Sequence, residues 1–262
     1  MRSDKLELLK AISHPDRFFK CVTGFDPEKF QSEILLAIVG RHKEKQFITI
    51  GLGARGSGKS MALAAGCAYL MVVDPACIIP LIAPGMRQSQ MLLRMVSDML
   101  ANLPIKPGRI TNAKQVLEIS NRSRAVCLPV GIESDELEKQ SNIRGIHSRV
   151  ALCDEISGIP AEIVRAAILP VVLPSGGNVV CAGSPAGERG WVYDVWMSGE
   201  CLRLHAPASE IKHLPAVTLE QLKKSMTADE IKREIDAVFA SDQEQAFHLS
   251  GFDIFIEECI AL

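Results

Sequence analysis

One segment of the sequence constrains the fold more than any other. Residues 53–60 read Gly-Ala-Arg-Gly-Ser-Gly-Lys-Ser and fit the pattern G-x-x-x-x-G-K-[ST]. An apolar run of β type precedes them at 46–52, and a run at 61–73 that favours a helix follows. A strand, a glycine-rich loop and a helix in this order surround an anion with backbone N–H groups and a helix N-terminus. The segment therefore predicts a loop that holds the phosphates of a nucleotide.

Every position of this loop is a candidate contact to ATP or to Mg²⁺, the two expected ligands. We expect the backbone to curl around phosphate oxygens, Lys59 to reach the β- and γ-phosphates, and the Ser60 hydroxyl to bind Mg²⁺. The candidate nucleotide-binding residues of the loop are Gly53, Ala54, Arg55, Gly56, Ser57, Gly58, Lys59 and Ser60.

Two carboxylates follow a second apolar run. Residues 150–155 read Val-Ala-Leu-Cys-Asp-Glu, as expected for a core strand whose end carries the acid that such a loop requires. We expect Asp154 to hold Mg²⁺ through its water shell, and Glu155 to polarise the attacking water as general base. The second acid favours a hydrolase over most small-molecule kinases. A helix cap is the alternative role for an Asp-Glu pair after a strand.

A small polar residue ends the next apolar run. Residues 178–183 read Asn-Val-Val-Cys-Ala-Gly and are followed by Ser184 and Pro185. In a parallel sheet Ser184 lies at the same carboxyl edge as the phosphates, where it can sense the γ-phosphate. A β-turn built on glycine, serine and proline is the alternative.

The order of the apolar runs indicates an α/β fold. Strand-like runs alternate with stretches of helical spacing, which predicts a mostly parallel sheet with helices on both faces. Residues 116–120 and 125–130 flank a polar turn and predict a hairpin. Thr227 and Glu230 form a capping box ahead of a late amphipathic helix that includes Phe239.

Composition narrows the class further. The 262 residues, 47% of them hydrophobic and without a flexible linker, are most simply one continuous domain. A net charge of −2 gives no global positive field, so any DNA contact must be a local patch. The sequence has no apolar signal core and no run long enough for a bilayer, which predicts a cytoplasmic protein without a membrane partner. The eight cysteines form no C-x-x-C pair and are expected to be reduced core residues.

Together these motifs resemble the large terminases of bacteriophage-type viruses. They occur in the order Gln31, GARGSGKS, LIAPGMRQSQ at 81–90, SNIRGIHSRVALCDE at 141–155 and AGSP at 182–185. The resemblance spans about residues 25–245. It implies the N-terminal ATPase domain of such a terminase, a P-loop NTPase of the RecA-like, additional-strand catalytic-glutamate type.

The resemblance also implies a function and partners. Large terminases assemble as rings that use ATP to drive double-stranded DNA into a procapsid. The implied partners are double-stranded DNA, the portal and procapsid, the small terminase subunit and further copies of this chain in a homo-oligomeric ring. The implied location is the cytoplasm of the host cell.

Four residues take roles from the resemblance. Gln31 matches a glutamine that contacts adenine, and Arg55 matches a P-loop arginine that contacts the γ-phosphate or couples hydrolysis to movement. Arg144 matches an arginine that reaches a neighbouring subunit's ATP, with a structural salt bridge as the alternative. Ser184 falls in the coupling position, although Ser-Pro here lacks the intervening residue of the family pattern. The expected catalytic set is Glu155, Lys59, Arg144 and Arg55.

Terminases carry a metal-dependent nuclease after the ATPase, and only about 77 residues follow Pro185 here. We therefore expect a motor domain over residues 1–245 and, over 246–262, the start of a linker toward an absent nuclease. No nuclease activity is expected from this chain. Asp253, Glu257 and Glu258 suggest a solvated helix end more than a metal cluster.

Other functions remain open at this point. A helicase or translocase shares Gln31, the phosphate loop and the acids after the strand at 150–153, but normally needs a second RecA-like domain on the same chain. A nucleotide-binding switch or assembly module with little turnover is a different class, and Glu155 argues against it. A phosphotransferase acting on a small molecule is the third alternative.

Overall fold

The computed structural model describes residues 2–103, 111–113, 115–130 and 146–241. Its strands are β1 (Ile48–Gly53), β2 (Ile78–Ala83), β3 (Thr111–Ala113), β4 (Val116–Glu118), β5 (Arg124–Pro129), β6 (Val150–Cys153), β7 (Asn178–Gly183) and β8 (Leu202–Ala206). They form one eight-stranded sheet in the order β3-β4-β5-β2-β6-β7-β1-β8.

The sheet is mostly parallel, as the sequence predicts. All neighbours from β5 through β2, β6, β7 and β1 to β8 pair in parallel. The pairs β3–β4 and β4–β5 are antiparallel, and the second of them is the predicted hairpin. Strand β7 lies between β1 and β6, so the strand before the phosphate loop and the strand before the two acids are not neighbours.

Helices cover both faces of the sheet. The longer ones are α1 (Arg2–Ile12), α2 (Pro15–Thr23), α3 (Lys29–Ile38), α4 (Lys59–Val73), α5 (Met86–Ala101), α7 (Trp191–Ser198) and α8 (Ala216–Lys223). Helix α6 covers 161–172 and contains a π-helical segment, Val164–Ile168. Helix α9 covers 228–235 and ends in a second π-helical segment, Ile231–Ile235.

The core lies on the two faces of the sheet. Leu81 and its neighbours on one face pack with α3, α4 and α5, while Ile82, the next residue, belongs to the cluster that includes Val164 and Trp191 on the other face. Burial on both faces explains why the strands read as continuous apolar runs. The seven cysteines of the described residues form no disulfide, and five of them are buried. Among these residues no helix is long and apolar enough to cross a membrane.

The late helix is shorter than the sequence pattern predicts. The capping box is present, since Thr227 Oγ1 accepts from the backbone N–H of Glu230 and the Glu230 carboxylate accepts from that of Thr227. The helix ends at Ile235, and Ala237 has a left-handed φ of 54° that no helix continues through. Phe239 therefore lies beyond the helix, where its ring contacts Tyr193 edge to face at 5.1 Å.

Candidate active site

Most of the sequence-predicted residues that the structure describes lie at the carboxyl edge of the sheet. A cleft of about 490 Å³ opens where β1 and β7 end and where the chain leaves β6. Clefts at this edge, beside a reversal of strand order, are where open α/β sheets bind ligands. The cleft is lined by Arg55, Gly56, Gly58, Lys59, Ser60, Met61, Met95, Glu155, Ser184 and Glu234.

The loop between β1 and α4 needs its glycines. Gly56 and Gly58 have φ values of 81° and 77°, a region that residues with a Cβ rarely adopt. A Cβ on Gly58 would also collide with the amide of Gln31. At the start of the loop, a Cβ on Gly53 would lie 2.6 Å from Ser57 Oγ. The loop is therefore wrapped tightly, with its backbone close to neighbouring side chains.

Lys59 begins α4 and is buried, with 7% of its surface exposed. Its ammonium donates to the carbonyl oxygens of Gly53 at 2.7 Å and Ala54 at 3.0 Å. Burial lowers the pKa of Lys59, while the carboxylates of Glu155 and Asp154 partly restore it. The two carbonyl oxygens thus hold the Lys59 side chain inside the loop.

Ser60 and Asp154 join the loop to the acid strand. Ser60 Oγ donates to Asp154 Oδ2 at 2.7 Å, across 94 positions of sequence. Burial raises the pKa of Asp154, and the hydrogen bonds from Ser60 and from the Glu155 N–H oppose this rise. A hydroxyl beside a carboxylate is the oxygen pair that Mg²⁺ accepts when phosphate oxygens and water complete its shell.

Two further observations fit a phosphate-bound Mg²⁺. Ser57 Oγ is buried in the loop and has no hydrogen-bond partner. Ser60 Oγ and Asp154 Oδ2 lie 2.7 Å apart and supply two protein oxygens. A Mg²⁺ bound to this pair would complete its shell with phosphate oxygens and water, as is typical of Mg²⁺ with nucleotides.

Glu155 follows Asp154 in a strained conformation. Its φ of 51° places it in the left-handed region, at a cost of about 1–3 kcal/mol for a residue with a side chain. Burial raises the pKa of Glu155, the nearby Asp154 carboxylate raises it further, and Lys59 opposes both. Glu155 also begins the short 3-10 helix Ile156–Gly158, but its side chain makes no capping hydrogen bond there. The Glu155 carboxylate therefore does not cap this helix.

Ser184 connects β7 to the acid segment. The hydroxyl of Ser157 donates to the Ser184 carbonyl at 2.7 Å. A backbone hydrogen bond from Ser184 reaches Glu155 and lowers its pKa. Gly183 leaves room for this contact, since a Cβ there would lie 3.2 Å from the Ile156 nitrogen. Ser184 thus lies in the cleft and is bonded to the segment that carries both acids.

Gln31 lies against the loop and is buried, with 4% of its surface exposed. Its Oε1 accepts from the Glu28 N–H at 2.9 Å, and its Nε2 donates to the Gly58 carbonyl at 3.3 Å. The structure therefore places Gln31 as a brace between the start of α3 and the phosphate loop. A contact to adenine stays a prediction.

Of the two arginines in the predicted catalytic set, the structure describes Arg55. Arg55 is exposed and lines the cleft, and its backbone N–H donates to the Glu234 carbonyl at 2.8 Å. Arg144 lies outside the described residues, and its role stays a prediction.

Several cleft residues carry no sequence motif. Glu234 comes from α9, and Met61 and Met95 come from α4 and α5. His213 Nε2 donates to the Gly56 carbonyl at 2.9 Å from the far side of the loop. No spacing rule points to Glu234, Met95 or His213, because their positions depend on how distant segments pack.

The fold and this site define a P-loop NTPase of the class that contains helicases and terminase ATPases. The family model for the helicase domain of RNA cytidine acetyltransferase NAT10/TcmA matches residues 50–182, just over half of the chain. The chain belongs to this family of helicase-type domains. No curated protein sequence matches it.

Solved structures confirm the resemblance to terminases at the level of the fold. The large terminase ATPase domain of Thermus phage P74-26 matches with a TM-score of 0.68 at 17% identity, over 87% of this chain and 99% of that one. A thermophilic bacteriophage large terminase in complex with ADP matches with a TM-score of 0.65 at 14% identity, over 81% and 54%. The HK97 bacteriophage large terminase matches with a TM-score of 0.58 at 16% identity, over 94% and 53%. The chain thus spans about half the length of these two larger terminase chains.

Proposed function

We propose that this chain is a motor domain that hydrolyses Mg-ATP and drives double-stranded DNA, as the ATPase of a viral DNA-packaging large terminase. The observation that carries the proposal is the bond between Ser60 and Asp154 beside Glu155. A phosphate loop, a pair of oxygens that could hold a metal and a second carboxylate then lie together, and these are the groups that nucleotide hydrolysis requires.

Binding would use the loop and its lysine. The Lys59 ammonium would exchange its two carbonyl acceptors for β- and γ-phosphate oxygens, and backbone N–H groups of residues 53–60 would hold the remaining oxygens. Ser60 and Asp154 would hold Mg²⁺, which neutralises the charge that develops on the transferred phosphate.

Hydrolysis would use Glu155 as general base. Its carboxylate lines the cleft, and burial raises its pKa, which makes it a stronger base than a solvated glutamate. The backbone of Ser184 is hydrogen-bonded to Glu155. Protonation of this carboxylate by a water proton would therefore weaken the hydrogen bond to Ser184. We propose on this basis that Ser184 couples the state of the acid to β7. We also propose that Arg55, which lines the cleft, contacts the γ-phosphate.

The packaging role is supported by the extent of the fold match, which covers 99% of the P74-26 terminase ATPase domain. By this resemblance the proposed partners are double-stranded DNA, the portal and procapsid, the small terminase subunit and other copies of the chain, in the cytoplasm of a host cell. Arg144 is proposed to complete a neighbour's site. The proposed motor domain covers residues 1–245, and the proposed linker, 246–262, lies outside the described residues together with Asp253, Glu257 and Glu258.

A second candidate function is a helicase-type translocase. The specific observation in its favour is the family match over residues 50–182. Both functions hydrolyse ATP, but they differ in what they do to the nucleic acid. A helicase separates the two strands, whereas a packaging motor moves along an intact duplex.

Phosphate release and nucleotide affinity, measured together, test the ATPase. Lys59→Ala is expected to lose both binding and turnover. Glu155→Ala should bind ATP and lose turnover by about a hundredfold or more, the scale for a general base. Glu162→Ala, an exposed glutamate of α6, is the matched control and should retain turnover. Undiminished turnover in Glu155→Ala would remove Glu155 from the mechanism.

The nucleic-acid product separates the two motor functions. A packaging motor should displace a third strand from a triplex while it leaves the underlying duplex paired, whereas a helicase should release a labelled strand from a forked duplex. We expect ATP-dependent triplex displacement without strand separation. Strand separation that is lost in Lys59→Ala would favour the helicase.

A further inference from the structure

The segment that follows β8 folds back over the phosphate loop. We call residues 207–236 the strap. His213 bonds the Gly56 carbonyl, and the Leu214 side chain packs beside Gly56. The N–H of Lys212 donates to Glu28 Oε1 at 3.2 Å, next to the start of α3. The strap is thus attached to both the loop and the helix that carries Gln31.

The end of the strap fixes the position of Glu234. The Glu234 carbonyl accepts from the Arg55 N–H at 2.8 Å. Ile235, the next residue, is buried in a small cluster with Ala54 and Ala208. His205 Nε2 then bonds the carbonyl of Asp236 at 3.2 Å. Glu234 is therefore held at the cleft by its own backbone and by a buried neighbour.

The charges at the cleft do not balance. Lys59 and Arg55 supply two positive side chains. Glu155 and Glu234 line the same cleft, and Asp154 lies behind Ser60. Among the described residues, three carboxylates therefore lie at the cleft with two cationic side chains. A triphosphate that enters without a metal adds four further negative charges to a site that already has one in excess, and Glu234 supplies that excess.

We propose that Glu234 is an affinity-determining residue that favours the binding of Mg-ATP over the binding of metal-free ATP. The inference rests on the proposed function, since it concerns the same nucleotide site. Because repulsion scales with the charge of the ligand, the carboxylate opposes metal-free ATP about twice as strongly as Mg-ATP. The chain would then bind the hydrolysable complex more tightly than the free nucleotide.

Calorimetric titration of ATP with excess Mg²⁺ and with EDTA tests this inference. Glu234→Gln removes the charge and keeps the carbonyl that bonds Arg55. It should strengthen binding of metal-free ATP by roughly tenfold and of Mg-ATP by roughly threefold or less, so that the preference for Mg-ATP falls. Glu234→Asp keeps the charge and should retain that preference.

Glu210→Gln is the matched control, since Glu210 is an exposed strap residue outside the lining of the cleft, and neither affinity should change. A melting curve shows that each variant is folded. If wild type binds ATP and Glu234→Gln keeps the full preference for Mg-ATP, the inference is wrong and the proposed function stands. If wild type binds ATP in neither condition, both are wrong.

Discussion

The hydroxyl of Ser60 donates to the carboxylate of Asp154 at 2.7 Å, and this single bond ties the first turn of α4 to the end of β6. Helix α4 follows β1 and Asp154 follows β6, and β7 lies between these two strands in the sheet. A cation that binds both oxygens would therefore require the phosphate loop and the acid segment to keep this relative position.

Ser60→Ala should weaken the use of Mg²⁺ in hydrolysis. Because the variant lacks one of the two protein oxygens, the Mg²⁺ concentration for half-maximal turnover at saturating ATP should rise by about tenfold or more. Ser32→Ala is a matched control, since it breaks a similar 2.8 Å bond from Ser32 to Asp16 away from the cleft. An equal shift in both variants would mean that the Ser60 effect is structural.

Glu155→Gln should stabilise the protein at neutral pH while it removes turnover. The pKa of Glu155 is raised in the folded state, so the folded chain binds the proton more tightly than the unfolded chain does. The stability that the bound proton provides is complete below the unfolded pKa, near 4.5, and is lost as pH rises through the folded pKa. An uncharged amide should avoid that loss.

Melting temperatures from pH 4 to pH 8 test this expectation. The gain of Glu155→Gln over wild type should be largest at high pH and should vanish toward pH 4. The exposed Glu162→Gln should show no such dependence. A gain that is the same at every pH would show that the carboxylate charge is not its cause.

Gln31→Ala should loosen the phosphate loop. The variant loses the bonds to Glu28 and Gly58, which together contribute about 1–3 kcal/mol. Because these bonds position backbone rather than base, ATP and GTP affinities should fall by similar factors. Equilibrium titration with both nucleotides decides the matter. A fall confined to ATP would instead support the predicted contact to adenine.

Arg144→Ala should lower turnover only in assemblies. A trans-acting arginine stabilises charge in the transition state, so ATP binding should be nearly normal, and the rise of turnover with protein concentration should flatten. Mixing two variants tests whether Arg144 acts on a neighbouring subunit. Arg144→Ala subunits keep the loop and Lys59→Ala subunits keep the arginine, so mixed oligomers should recover activity that each lacks. Mixed oligomers that form and remain inactive would place Arg144 within its own subunit or in the fold.

Much of the site could be predicted because its chemistry is encoded locally. The loop from Gly53 to Ser60 needs glycines at fixed positions, and the acids Asp154 and Glu155 follow directly on a buried strand. Apolar runs and helical spacing likewise predicted the parallel strands and the hairpin of β4 and β5. These features depend on steric limits and periodicities that extend over only a few residues.

Only the tertiary structure decided which distant groups meet. Glu234 enters the cleft because Ile235 packs against Ala54, and Gln31 contacts the loop because α3 lies beside β1. The end of α9 at Ile235 was set by a left-handed Ala237, which the amphipathic pattern does not reveal. The sequence by itself determined the phosphate loop and the acid strand, because backbone sterics and side-chain periodicity act locally. The order of strands and the third carboxylate depend on long-range packing, which no local pattern specifies.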